Sequence, residues 1–201
     1  MTRAAHLSAP ERPELTFPEA EGQAVALAYS RAKAILEYGS GGSTVMAAEM
    51  GKTVTSVESD GNWARMMRAY FEANPPRGQV EVIHAEVGPT REWGHPVDDR
   101  DWRRFAAYPL GIWQEGRLAT QPDVVLVDGR FRTGCVLATA FNITQPVTLL
   151  LDDYRKREQY HEIEDFVGQP TLIGRLAVFE INPMPVPSDR LLDVIRMMTH
   201  A

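Results

Sequence analysis

Cysteine is almost absent: the 201 residues contain one, Cys135. A disulfide framework and a cysteine-built zinc site are thereby excluded. Long apolar runs are missing too. None approaches the ~20 residues needed to cross a bilayer, and the opening MTRAAHLSAPERPELTFPEA has no apolar core of signal-peptide length. There is no basic excess either: 21 Lys and Arg against 27 Asp and Glu leave a net charge of −6. That balance argues against a broad electrostatic grip on nucleic acid. The five histidines, at positions 6, 84, 95, 161 and 200, show no metal-helix spacing. What remains is an ordinary globular profile, 44% hydrophobic and 24% charged. The expectation is a soluble, cytoplasmic protein with no membrane partner. At roughly 150 residues per domain the chain is one domain with extras. A chain this long buries about 70% of its unfolded surface and can hold a rigid site.

Residues 1–17 carry prolines and no periodicity and read as a loose leader; residues 18–201 read as a single domain. Pro18 opens an Ala-rich helix to about Lys33, where its missing N–H does no harm. Ala34–Tyr38 is a short apolar run that stops at Gly39, a buried strand. A tight loop over 39–43 leads to a helix over 44–50, closed by Gly51. Thr53–Val57 is β-branched, a second strand. Ser59-Asp60 caps a helix whose apolar stripe is Trp63, Met66, Met67, Tyr70 and Phe71, broken by Pro75-Pro76. Further strands fall at 80–84, 123–127 and 147–151, with helices over 133–142 and around 160–167. Residues 172–181 are strand-like, and the last segment is a helix to Met198 or a strand over 191–197. Strands that alternate with helices mean an α/β fold: a doubly wound, Rossmann-like, mostly parallel sheet with helices on both faces. Right-handed crossovers place every strand's carboxyl end on one edge, where ligands bind.

The strongest chemical signal is the first strand's turn, Glu37-Tyr38-Gly39-Ser40-Gly41-Gly42-Ser43. Gly39 permits a turn that a Cβ obstructs, and Gly41 lets a ligand approach the backbone. The following helix offers free N–H groups at its N-terminus. Glu58 ends the second strand, 19 positions after Gly39, where a carboxylate accepts hydrogen bonds from both hydroxyls of a ribose. Together these point to a nucleoside cofactor. A dinucleotide fingerprint wants glycine where this chain has Thr44, and Glu37, read as lying inside the cleft, repels a pyrophosphate. The same carboxylate welcomes an ammonium group. S-adenosylmethionine carries an amino group and a sulfonium, so electrostatics favours it.

On these residues the chain resembles the class I S-adenosylmethionine-dependent methyltransferases across about residues 20–155. The likeness rests on Glu37-x-Gly39-x-Gly41-x-Ser43, on Val57-Glu58, on His84-Ala85-Glu86 and on Pro122–Gly129. It departs from the family pattern at Ser43, where glycine is usual, and His84-Ala85-Glu86 only approximates the usual turn. The resemblance implies that Glu37, Tyr38, Gly39, Ser40, Gly41 and Ser43 cradle the methionine and ribose part. Glu58 and Ser59 then meet the ribose, and Ala85 and Glu86 flank the adenine. Asp128 sits at the methyl-transfer mouth, as base where one is needed. The chain lacks the Asn/Asp-Pro-Pro-aromatic motif of base-amino methylation, which disfavours nucleic acid as acceptor.

A narrower likeness is to catechol-type O-methyltransferases, which place a metal on acids in comparable positions. It implies Mg²⁺ on Asp128, Asp152 and Asp153, lowering an acceptor hydroxyl's pKa. The alternative is that Asp152 caps a helix and Asp153 pairs with Arg155 or Lys156. Arg130 forks onto an acceptor carboxylate or phosphate, or else Arg130 or Arg132 neutralises the acids. The long segment 87–121 is a substrate loop; Trp113, with Tyr154, is an acceptor-lining candidate. The expected function is methyl transfer from S-adenosylmethionine to a small molecule. The alternatives are a non-catalytic module that kept the cofactor fold, and an NAD-dependent oxidoreductase.

Overall fold

A computed structural model describes residues 11–201. Residues 1–10, the first part of the expected leader, lie outside the described residues. The rest of that leader is docked rather than loose. Pro13 is buried, Arg12 pairs with Glu49 at 3.0 Å, and the backbone of Glu14 lies against Gly42.

The order of elements is α1 (Glu19–Arg31), β1 (Ala34–Tyr38), α2 (Gly42–Glu49), β2 (Thr53–Glu58), α3 (Gly61–Ala73) and β3 (Val80–His84). Two one-turn helices follow, α4 (Trp102–Phe105) and α5 (Ala107–Leu110). The chain continues as β4 (Val124–Val127), α6 (Arg132–Asn142), β5 (Val147–Leu151), α7 (Glu164–Val167), β6 (Thr171–Ile173), β7 (Leu176–Ile181) and α8 (Leu191–Thr199). The seven strands form one sheet in the order β3-β2-β1-β4-β5-β7-β6. β1 to β5 pair in parallel, and β7 enters antiparallel between β5 and β6. This is the α/β, mostly parallel architecture that the alternating pattern demands. Strand order reverses between β1 and β4, which is where such sheets open a crevice for ligands.

Local chemistry explains the boundaries. β1, β4 and the last three residues of β5 are buried along their length, as strands covered on both faces must be. The Asp123 carboxylate accepts from the amides of Lys33 and Ala34, so it caps the start of β1 instead of extending β4. Asp60 caps α3 by accepting from the amides of Asn62 and Trp63. The strand-like run 172–181 is broken at Gly174-Arg175, a two-residue hairpin turn with Gly174 at φ +57°. The last segment is a helix, with Val194, Met197 and Met198 buried. Gly134 in α6 admits it: a Cβ there would lie 2.8 Å from the carbonyl oxygen of Met197. In the stretch after β5, Tyr160 and Ile163 point inward from a 3₁₀ turn over Glu158–Ile163 that runs into α7. The long segment before β4 packs Phe105, Tyr108 and Ile112 into the core, with Trp93 and Trp102 left outside.

At its two margins the sheet is guarded. β6 is only three residues long, and on β3 the Arg68 guanidinium donates to the Val82 carbonyl at 2.8 Å. Among the described residues no helix is long and apolar enough to cross a membrane.

Candidate active site

The carboxyl ends of β1, β2 and β4 meet through their backbones. Tyr38 O accepts from the amides of both Asp128 and Gly129, at 2.9 and 2.7 Å, and Val57 O accepts from Gly39 N at 2.8 Å. Gly39 has φ +104°, and a Cβ on it would lie 2.9 Å from Gly129 N. Both the left-handed backbone and the close approach therefore require glycine. At Gly41 a Cβ would meet nothing within 4 Å, so this side of the loop is open to an incoming ligand. Gly42 is needed for another reason: a Cβ there would lie 2.4 Å from the Glu14 carbonyl carbon and oxygen.

Glu37 is not in the open cleft, where the sequence reading put it. It is fully buried beneath the loop. Its carboxylate accepts from Tyr29 Oη of α1 at 2.5 Å and from Thr44 Oγ1 of α2. Thr44 Oγ1 in turn accepts from Gly41 N at 3.0 Å. The acid fixes the loop from below and ties α1 to α2. Burial raises its pKa to about 7, against the hydrogen bonds of Thr44, Tyr29 and Ser43, which favour the charged form.

This linkage has a sign. A carboxyl that holds its proton more tightly when folded adds stability at low pH and loses it as pH rises through its folded pKa. The span from the usual 4.5 to about 7 corresponds to about 3 kcal/mol. Urea melts of wild type and Glu37→Gln between pH 4 and 8 are expected to show wild type losing stability relative to the variant across that window. Parallel pH curves would refute this.

Glu58 is buried at the end of β2. Its Oε2 accepts from Ser40 N at 3.1 Å, and its Oε1 accepts from Asp60 N at 2.9 Å. Burial raises its pKa, opposed by the amides of Asp60, Ser40 and Ser59. Ser40 is held further by Ser56 Oγ at 2.8 Å and by Trp63 Nε1, which donates to its carbonyl at 2.7 Å. Ser43 is buried in the first turn of α2. Ser59 Oγ donates to Gly94 O at 2.8 Å. Gly94 has φ +67°, and a Cβ there would be 2.3 Å from Ser59 Oγ and 3.2 Å from Glu58 Oε1. The sequence reading missed Gly94, because it lies in a segment without periodicity.

Several expected site residues point elsewhere. Tyr38 is fully buried on the core side; its hydroxyl donates to Pro109 O and accepts from Trp113 Nε1. Trp113 is thereby pinned to Tyr38 rather than free to line a mouth. Tyr154 is buried, donating to Glu164 Oε1 at 2.5 Å and packed on His161 and Phe179. Burial raises its pKa. Ala85 is buried next to Glu58, whose carbonyl accepts its amide at 2.8 Å. Glu86 faces solvent, accepting from Gly88 N and lying 3.7 Å from Arg104. Cys135 is buried, and burial pushes its thiol pKa well up, so it is unreactive.

Asp128, Asp152 and Asp153 do come together, but as ion-pair partners rather than Mg²⁺ ligands. Arg132 is buried among them, 3.3 Å from Asp128 Oδ1 and 3.5 Å from Asp153 Oδ2. It also donates to the carbonyls of Gly129, Asp128 and Asp152. Arg175, from the β6–β7 turn, grips both oxygens of Asp152 at 2.9 and 2.7 Å and reaches Asp153 at 3.3 Å. Arg157 meets Asp153 at 2.8 Å. Three guanidinium groups supply the positive charge that a divalent cation would bring. The metal reading is therefore corrected, and no metal-holding group of His, Cys, Asp or Glu occurs among the described residues. Asp128 keeps partial access to solvent. Burial raises its pKa to about 7, opposed by Arg132 and reinforced by Asp152 and Asp153. Two surface hollows of about 510 and 270 Å³ lie beside β3 and hold neither the glycine loop nor Asp128.

No protein-family model matches the chain, and no curated protein matches it significantly. Solved structures do. A methyltransferase-like protein from Silicibacter pomeroyi is 56% identical over 94% of this chain and 99% of that one, with a TM-score of 0.91. An O-methyltransferase from Bacillus cereus, solved with S-adenosylhomocysteine, shares the fold at 15% identity and TM-score 0.55, over 88% of this chain and 86% of that one. An O-methyltransferase of tomaymycin synthesis from Streptomyces achromogenes, solved with S-adenosylmethionine, does so at 13% identity and TM-score 0.55, over 85% and 83%. The chain belongs to the same family as the methyltransferase-like protein from Silicibacter pomeroyi and shares the fold of the S-adenosylmethionine-dependent O-methyltransferases.

Proposed function

We propose that the protein binds S-adenosylmethionine across the carboxyl edge of β1 and β2 and transfers its methyl group to a small molecule beside Asp128. One observation carries this reading. The open backbone at Gly41 and the carboxylate of Glu58 are joined into one ledge by the Ser40 amide, at the carboxyl ends of β1 and β2 beside the point where strand order reverses. The O-methyltransferases of the same fold solved with S-adenosylmethionine or S-adenosylhomocysteine support it. Glu58 would hold the ribose hydroxyls, Ser40 and Gly41 the methionine part, and Ala85 the adenine edge. Glu37, Thr44 and Tyr29 hold the ledge in place from beneath. When bound, the cofactor supplies an electrophilic methyl on a sulfonium, so the protein's task is positioning and exclusion of water. Asp128 takes the proton of the acceptor's nucleophilic group.

The acceptor is small in this reading because the net charge of −6 disfavours a broad electrostatic grip on nucleic acid. The proposed domain is residues 18–201, extended by the docked residues 11–17, with Gly94 of the 87–121 segment set against Ser59, and the proposed compartment is the cytoplasm.

Calorimetric titration with S-adenosylmethionine and S-adenosylhomocysteine in EDTA, followed by labelled-methyl transfer to a small-molecule library, tests the reading. Micromolar binding without metal is expected. Transfer is expected to rise with pH through about 7 as Asp128 ionises, and Asp128→Asn is expected to lower it by roughly 10²–10⁴-fold and remove that inflection. A folded sample that binds neither ligand would sink the proposal. Binding without transfer to any acceptor would leave a cofactor-binding module.

A further inference from the structure

Four arginines crowd the carboxyl ends of β4 and β5, and three of them are spoken for. Arg132, Arg157 and Arg175 are paired with Asp128, Asp152 and Asp153, so the cluster is balanced without the fourth. The fourth, Arg130, is part-buried and follows Asp128 by two residues in the turn after β4. Its Nε donates to Gly129 O at 3.0 Å, the carbonyl that also accepts Arg132 Nε at 2.9 Å. Among the described residues, its two terminal nitrogens have no hydrogen-bond or ion-pair partner. Arg132 and Arg157, both of its own sign, act on it, with the hydroxyls of Tyr108 and Tyr160 nearby.

The turn that presents Arg130 is rigid. Phe131 is held in the left-handed region at φ +51°, fully buried, with its ring 5.2 Å from Phe105 and 5.5 Å from Tyr108. Cys135 Sγ contacts the Arg130 carbonyl at 3.5 Å. A guanidinium anchored through Nε, with the opposite edge free and like charges behind it, is a fork set for an oxyanion. Burial and the neighbouring arginines lower its pKa, which marks an uncompensated cation. A purely structural arginine here would be turned onto the acids two residues away, as Arg132 is.

We infer that Arg130 is the acceptor-recognition residue, and that the methyl acceptor is a small molecule carrying a carboxylate or phosphate close to its nucleophilic group. The inference rests on the proposed methyl transfer and adds the substrate class. The fork on Arg130 fixes the anion while the nucleophile lies at Asp128. Neutral esters and amides of the same molecules leave the guanidinium without a partner and are poor acceptors.

Inorganic phosphate, titrated by calorimetry into wild type, Arg130→Met, Arg130→Lys and the exposed control Arg103→Met, tests the anion site directly. S-adenosylhomocysteine is titrated into the same samples. Phosphate affinity is expected to fall roughly 10–100-fold in Arg130→Met, to recover in part in Arg130→Lys, and to stay unchanged in the control. Labelled-methyl transfer to hydroxybenzoates is expected to exceed transfer to their methyl esters in wild type alone. Equal phosphate binding in wild type and Arg130→Met overturns the inference. So does a loss of S-adenosylhomocysteine affinity with phosphate binding intact, which would place Arg130 on the nucleotide. Failure of S-adenosylhomocysteine to bind wild type would defeat the methyl-transfer reading, and the phosphate arm would still decide the anion site. Arg130 has no ion pair to lose, so thermal melts of all variants should match wild type.

Discussion

Glu58→Ala is expected to bind S-adenosylmethionine at least about a hundredfold more weakly than wild type, the largest single loss of affinity in the molecule. Hydrogen bonds to a charged acceptor contribute about 1.5–3 kcal/mol each, and this carboxylate offers two to a ribose. Removing it also frees the amides of Ser40 and Asp60, which it now fixes at 3.1 and 2.9 Å. The ledge and its ligand contacts are lost together, so the cost exceeds two hydrogen bonds to a rigid site. Glu58→Gln keeps one acceptor oxygen for the backbone and should fall between. Calorimetry of the three proteins checks the order. Wild-type affinity in Glu58→Ala would mean that the cofactor does not lie on β2.

Arg132→Met is expected to destabilise the fold by about 3–5 kcal/mol, the range for removing one partner of a buried ion pair. The guanidinium is almost wholly buried and bonds to the carbonyls of Asp128, Gly129 and Asp152 as well as to two carboxylates. Methionine fills part of the volume but leaves three carbonyls and the charges of Asp128 and Asp153 facing one another. Urea melts should show a lower midpoint with an unchanged slope. Adding Asp153→Asn should restore part of the loss, because one of the stranded charges is gone. A variant as stable as wild type would mean that Arg175 and Arg157 alone balance the acids.

What the sequence makes legible is what local periodicity controls. The expected spans 34–38, 80–84 and 147–151 are the observed β1, β3 and β5, because buried parallel strands are short apolar runs bounded by turn residues. Gly39 and Glu58 lie at the ends of adjacent strands, where the glycine loop and the βαβ spacing put them. The direction in which a side chain leaves a strand is harder. Glu37 and Tyr38 are neighbours in a motif, yet one lies under the loop and the other in the core, because successive residues of a strand face opposite sides. The acidic trio was legible as a cluster, and Arg132 as one of its neutralising partners, but Arg175 and Arg157 were not. Arg175 reaches it from a hairpin turn 23 residues beyond Asp152, and no local pattern carries that distance. Gly94 is invisible for the same reason: its partner, Ser59, lies 35 positions earlier.

The guarded margins of the sheet bear on how this chain behaves in company. A free strand edge is a row of unsatisfied amides and carbonyls that recruits other chains into fibrils or swapped assemblies. Here one rim is too short to template a partner, and on the other an arginine already occupies an outward carbonyl. Lengthening β6 at its amino end, away from the Gly174-Arg175 turn, or replacing Arg68 by an aliphatic residue would remove those barriers. Neither Arg68 nor the residues of β6 bond to Ser40, Glu58 or Asp128, so association between chains is expected to be alterable apart from the chemistry of the site.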